Sequence, residues 1–249
     1  MRVTSIAVSE VGKVRAHNED AVFADDELGL WLVADGMGGH AAGEVASRLA
    51  VATVVEEVKA GSELKDAVKR AHSVIKVAAR ENREQAGMGT TIVALRRCQN
   101  RFTLVWSGDS RAYGWSCSEA FSQLTTDHSF VGDMVARGIL TVQEAEDHPD
   151  RHLISQALGI SSIPHLRPEE MEFRPRRHGG VLLCSDGVSD MLGAARLAEI
   201  CGGGGDLQET SARLTRAIEN TPASDNYSFV LLDYQLAGVA QRFCRWWRG

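Results

Sequence analysis

No apolar run in this 249-residue chain approaches the length needed to cross a bilayer, so no membrane span is expected. An excess of basic charge is also missing. The 27 Lys and Arg face 33 Asp and Glu, a net charge of -6, whereas a nucleic-acid binder would show a basic face. The five cysteines, at 98, 117, 184, 201 and 244, have no CxxC spacing. That removes a readable zinc motif and argues against a disulfide framework, leaving reduced thiols in a cytoplasmic setting as the expectation. The opening MRVTSIAVSEVG lacks the apolar segment of a signal peptide. No Pro- or Ser-rich linker interrupts the chain, so one domain is expected over 1–238, followed by a short tail at 239–249.

What the chain does have is enough apolar residues for a core, 44% against 24% charged. VTSIAVS, DAVFADDE and LGLWLVAD read as neighbouring antiparallel strands. Two helices follow. GEVASRLAVATVVEEVKAG is apolar on much of its circumference and stops at Gly61. SELKDAVKRAHSVIKVAAREN has Ser62 as its candidate N-cap and an apolar stripe from Leu64 through Ala67, Val68, Ala71, Val74 and Ile75 to Ala78. GTTIVALRR, RFTLVWSGDSRAYGWS and a piece near Gln123 read as a strand meander. Residues 127–160 read as polar and helical, with Thr141 and Glu144 as a capping box. GGVLLCSDGVSDML is an apolar run turning into a helix, GGGG at 202–205 is a break before LQETSARLTRAIENT, and NYSFVLLDYQL is a last strand. Strands and helices come in blocks and do not alternate singly. The pattern is α+β, with antiparallel sheets and helices in separate layers.

One grammar recurs: an apolar strand carrying an Asp at its end. It occurs in LVADG (Asp35), LVWSGDSR (Asp109), VLLCSDG (Asp186) and PASDNYSFVLL (Asp225). Any one of these is a candidate turn-former or helix cap. Four together suggest a carboxylate cluster, which resists ionisation unless a cation neutralises it. Without Cys or His nearby in sequence the donors are hard oxygens, which select magnesium or manganese over zinc. Upstream, GKVRAHNEDAVF carries Arg15, Glu19 and Asp20. It reads either as a solvated loop or as a phosphate-binding guanidinium beside further acids.

In VRAHNEDA, VADGMGGH, GMGTTIVAL, WSGDSRAY, LTTDHS, LISQALG, LLCSDGVSDML and DNYSFVLL, taken in order, the chain resembles the bacterial type 2C (PPM) metal-dependent Ser/Thr protein phosphatases. The resemblance covers most of the chain. It implies a four-layer α-β-β-α sandwich: two antiparallel sheets flanked by helix pairs. It also implies a centre of two magnesium or manganese ions at one end. By similarity Asp35 bridges the ions, Gly36 offers its carbonyl, and Asp186 and Asp225 ligate the second ion. Glu19 and Asp20 act through bound waters, and Asp109 with Asp186 takes a third, weaker ion. Arg15 is implied to bind the substrate phosphate, and an ion-bridging hydroxide to attack phosphorus in line. GMGTT is read as structural only.

The resemblance brings phosphoproteins as substrates, a cognate Ser/Thr kinase pathway, no nucleic acid and a monomer. Where eukaryotic members of the family often place a His at the third position of the DG motif, this chain has Met37. His40, three residues later, is read as an acid or water-orienting group or as a mere helix-start residue, with a metal-bound water as the other candidate proton donor. The flap at about 127–155 is read as substrate-facing and not catalytic. The tail, with Arg242, Arg245, Arg248, Phe243, Trp246 and Trp247, is read as capping an apolar edge or touching a membrane or partner. The remaining histidines are expected at the surface or locally bonded. A catalytically dead phosphoprotein-binding relative and a phosphatase of small phosphoesters are the competing classes.

Overall fold

The computed structural model describes residues 1–38, 42–82, 85–141, 143–144, 148–150, 153–163 and 165–236. One antiparallel sheet contains β1 (Arg2–Glu10), β7 (Arg111–Ser116), β8 (Glu119–Gln123), β10 (His178–Cys184) and β11 (Tyr227–Gln235), in the order β1-β11-β10-β7-β8. The other contains β2 (Asp20–Asp25), β3 (Leu30–Met37), β5 (Ile92–Cys98), β6 (Arg101–Ser107) and β9 (Glu169–Phe173) in that order, with the two-residue β4 (Gly89–Thr90) also paired to β3. The helices are α1 (Ala42–Lys59), α2 (Leu64–Glu81), α3 (Phe130–Ala136), α4 (Asp186–Gly202) and α5 (Leu207–Glu219), with α4 interrupted at Gly193.

Side-chain alternation explains the layers. Along β3, Leu30 and Leu32 pack under α1 and α2, while Trp31 and Val33 point into the gap between the sheets. Along β10, Val181 and Leu183 face that gap, and Leu182 and Cys184 face α4 and α5. A strand buried on both faces is apolar at every position, which is why LWLVA and VLLC read as continuous runs. The result is three apolar layers: helix on sheet, sheet on sheet, sheet on helix. This is the expected α-β-β-α sandwich.

Several local expectations hold. α1 ends in a Schellman turn, with Gly61 at φ +96° and Ser62 N–H reaching Glu57 O at 2.9 Å. Thr141 and Glu144 form their reciprocal capping box, at 2.8 and 3.2 Å.

Others are corrected. Ser62 is not the cap of α2. Glu63 takes that position without a side-chain bond, and the Ser62 hydroxyl donates to Glu57 Oε2 at 2.7 Å, tying the turn between the helices. β1 does not pair with β2; it pairs with β11 from the other end of the chain, a long-range choice that local pattern cannot reveal. The meander is split too. β6 and β7 lie in different sheets, and the chain crosses between them at Gly108, whose φ of +112° excludes an ordinary side chain. Within 127–160, α3 is the one named helix among the described residues, and most of the other described residues lie in turns, bends, bridges or irregular chain. Strand β9 (EEMEF) escapes sequence reading because it is an exposed, acid-rich edge strand. His40 and the tail at 239–249 lie outside the described residues.

Leu183 is fully buried between the sheets, whereas Val77 on α2 is 50% exposed. Leu183→Ala is expected to cost about 2–5 kcal/mol of unfolding free energy in a denaturant titration. Val77→Ala should stay within about 0.5 kcal/mol, and equal losses would contradict the layer assignment.

Candidate metal centre

The alternation that builds the inter-sheet layer also delivers the acids. Positions 31, 33 and 35 share one face of β3, so the side chain after Trp31 and Val33 is Asp35. Asp20 is its register partner on β2 and projects to the same side. On β10 the parity of Val181 and Leu183 brings Ser185, and on β11 that of Leu232 and Val230 brings Ser228. The Ser185 hydroxyl donates to Asp20 Oδ2 at 3.0 Å and accepts the Ser228 N–H at 3.0 Å. At this end the apolar gap therefore turns polar, and Asp20 is buried there at 7% exposure.

The backbone of Asp35 is held from both sides. Its carbonyl accepts the Thr91 N–H at 2.8 Å and the Thr90 hydroxyl at 2.9 Å, and its own N–H donates to Thr91 Oγ1 at 3.1 Å. GMGTT thus has a structural role: its two threonines clamp the Asp-bearing strand end. Gly36 donates its N–H to Glu19 O at 3.1 Å, and a Cβ there would collide with the Gly43 and Glu19 carbonyls. Close backbone approach therefore requires this glycine.

Asp186 is the first residue of α4. Asp225 opens the approach to β11, its Oδ1 accepting the Asn226 N–H at 2.8 Å and its Oδ2 accepting from Arg15 Nη2 at 2.7 Å. That ion pair is open to solvent, the side chains being 51% and 38% exposed. Asn226 was not singled out by sequence reasoning. Its Oδ1 accepts the Glu19 N–H at 2.8 Å, and its Nδ2 donates to Val11 O and His17 O at 2.8 and 2.9 Å. One buried amide thereby pins the loop carrying Arg15 and Glu19 against the Asp225 strand.

Electrostatics show how closely the acids gather. Burial, with Asp186 and Asp225 beyond it, pushes Asp20 up to about 7, against two serine hydroxyls that pull it down. Burial and then Asp20, Asp186 and Asp109 hold Asp35 well above the carboxylate range. Burial and Asp190 raise Asp186. Burial, Asp186 and Asp127 push Asp109 up to about 7. Burial raises Glu19, with Arg15 opposing, and its Oε1 is buried without a hydrogen-bond partner.

Asp127 and Asp190 were missed from sequence. Asp127 grips Arg111 with both oxygens, at 2.6 to 3.0 Å, and steadies the strand after Asp109. Asp190 lies one helical turn beyond Asp186 on α4, and that i,i+4 spacing was a readable signal.

The donor set is all hard oxygen, short of positive charge, and includes an orphaned buried carboxylate oxygen. It fits a divalent magnesium- or manganese-type cation. Among the described residues no three His, Cys, Asp or Glu side chains already close around one point. The structure brings Glu19, Asp20, Asp35, Asp109, Asp186 and Asp225 to one end of the sandwich, with Arg15 at its rim. His40 is not described.

Comparison with known proteins gives the family. A family model described as Protein phosphatase 2C matches residues 12–225. The chain is 38% identical over 240 residues to the Serine/threonine protein phosphatase PstP of Mycobacterium tuberculosis, covering 91% of this chain and 44% of that protein. The chain thus spans less than half the length of that relative. It is 31% identical to the Serine/threonine phosphatase stp of Listeria innocua, covering 90% and 93% of the two chains. Among solved structures, the M. tuberculosis phosphatase PstP/Ppp superposes with a TM-score of 0.84 at 35% identity, over 94% of this chain and 99% of that one. The PstP catalytic domain in complex with 2 manganese ions gives 0.82 at 34% identity, over the same shares. The chain belongs to the protein phosphatase 2C family.

Proposed function

We propose that this protein hydrolyses phosphoserine and phosphothreonine in proteins at a centre of two magnesium or manganese ions, reversing the work of a Ser/Thr kinase. The observation that carries this reading is the gathering of Asp20, Asp35, Asp109 and Asp186, each raised first by burial and then by neighbouring acids, Asp190 and Asp225 among them. Family membership and the manganese-bound relative support it.

Asp35, Gly36, Asp186 and Asp225 would hold the ions, with Glu19 and Asp20 behind them and Asp109 with Asp186 taking a third. Bound divalent ions supply charge neutralisation at phosphorus and a water acidic enough to serve as nucleophile at neutral pH. The rest falls to the chain. The Thr90–Thr91 clamp and Asn226 hold the donors in fixed geometry. Arg15 is suited to take two phosphate oxygens with its planar fork. Its pairing with Asp225 is solvent-exposed and therefore weak, so the guanidinium can exchange that partner for substrate. His40 is the proposed donor of a proton to the leaving Ser or Thr oxygen. Substrate selection would fall to the flap around Phe130, Ile139 and Leu153, which expose apolar surface.

Phosphate release from a phosphothreonine peptide should require magnesium or manganese and vanish with a chelator. Asp186→Ala should lower kcat/KM by about 1,000-fold or more. Turnover that survives chelation, or an active Asp186→Ala, would remove the metal reading. Arg15→Ala should raise KM roughly tenfold, as loss of a charged hydrogen bond to phosphate would. An unchanged KM would move Arg15 out of the substrate site. In chelator, Asp20 and Asp109 titrate near 7, above their unfolded values. Their contribution to stability is then full at pH below about 4 and is lost as pH rises through about 7. Thermal melting of the stripped protein should show that loss, and manganese should reverse it at pH 7.5. Failure of manganese to raise the melting temperature would contradict the site.

A further inference from the structure

Two buried imidazoles lie outside the chemistry described so far. His72 on α2 is 4% exposed and His128 is 5% exposed, although sequence gives neither a ligand spacing nor a reason for burial. Each does the same thing. His72 Nδ1 accepts the N–H of Gly159 at 3.1 Å, and His128 Nδ1 accepts the N–H of Gly108 at 3.2 Å. Each Nε2 is buried without a hydrogen-bond partner, that of His128 lying 3.3 Å from Glu169 Oε1. A ring that accepts at Nδ1 is neutral, with its proton on Nε2. Burial, and then Lys76 one turn along α2, lower the His72 pKa, in keeping with that neutral state.

Both partner glycines sit in tight turns with φ of +82° and +112°. A Cβ on Gly159 would strike Ile75, and one on Gly108 would strike Thr91. The two turns end on the same object. Leu158, beside Gly159, exchanges two backbone bonds with Thr90, at 2.8 and 3.1 Å. Gly108 backs directly onto Thr91, whose hydroxyl shares a 2.7 Å bond with Ser110. His128 also donates its own N–H to Gly108 O at 2.9 Å, so it brackets that residue fully. Thr90 and Thr91 are the clamp on Asp35. One imidazole therefore braces each flank of the clamp.

We propose that His72 and His128 are positioning residues that fix the threonine clamp on Asp35 from its two sides, His72 through Gly159, Leu158 and Thr90, and His128 through Gly108 and Thr91. The proposal rests on the metal reading of Asp35 and extends it to two residues that touch neither ion nor substrate. Removing the acceptor leaves a buried glycine N–H unpaired and loosens the clamp rather than the core.

The test uses the full chain with manganese as the probe, read by calorimetry, together with amide exchange at Asp35 and Thr91. His72→Leu and His128→Leu should each weaken manganese affinity by about 10-fold or more, the scale of lost outer-shell support. Both should also speed exchange at those amides. The Asn variants, whose Oδ1 stands where Nδ1 stood, should restore most of the affinity. In a cycle with Thr90→Val, the loss from His72→Leu should be non-additive, because the two act in series. Leu variants with wild-type manganese affinity and amide protection would overturn the proposal, and so would additivity in the cycle. If a Leu variant does not fold, nitrogen NMR of the wild-type imidazoles decides, since a proton on Nδ1 of either ring is incompatible with the bonds assigned. Wild-type protein that binds no manganese would sink the metal reading alone, and the tautomers and amide exchange would still report on the histidines.

Discussion

The structure is organised around a repulsion. Six acidic side chains, from Glu19 to Asp225, are drawn to one end of an otherwise dry sandwich, where the low dielectric magnifies every like-charge contact. Nearly all the polar detail at that end serves to hold them there. Ser185 bridges Asp20 to the β11 backbone, Thr90 and Thr91 grip Asp35, and Asn226 ties the Arg15–Glu19 loop to the Asp225 segment. Arg15 is a rim cation, too exposed to balance the cluster. Such a site stores unfavourable electrostatics that a divalent cation relieves, so ion binding and stability are coupled.

The acidic end and the apolar core share one geometric rule. Alternation along β3 carries Trp31 and Val33 into the inter-sheet layer and then Asp35 into the same column. β10 and β11 do likewise with Ser185 and Ser228. The acidic end is the last row of the sheet-on-sheet packing, with oxygen in place of carbon. Its rigidity is that of the core behind it, which suits a reaction that depends on fixed charges more than on moving parts.

Much of this was legible in the chain. Strand-end aspartates after continuous apolar runs were visible because strands buried on both faces are apolar at every position, so a terminal carboxylate stands out. The block order of strands and helices pointed to layers. The missed features were those whose signal is not local. Asn226 looks like a turn residue until its three partners, Val11, His17 and Glu19, are folded against it. His72 looks like a break in an apolar stripe, and β9 like a polar loop. Asp190 alone could have been found, from its i,i+4 spacing to Asp186.

Sequence by itself determined the type of most elements, though not of 127–160 or β9, together with the carboxylates and the kind of cation they suit, because alternation, helical period and donor hardness are properties of residues in order. Tertiary structure decided which strands are neighbours, that β1 pairs with β11 and that the chain changes sheets at Gly108. It decided, too, which polar side chains became braces. Those choices rest on contacts between residues far apart in the chain, such as Asn226 with Val11 or His72 with Gly159, and a contact of that kind leaves no trace in either segment read alone.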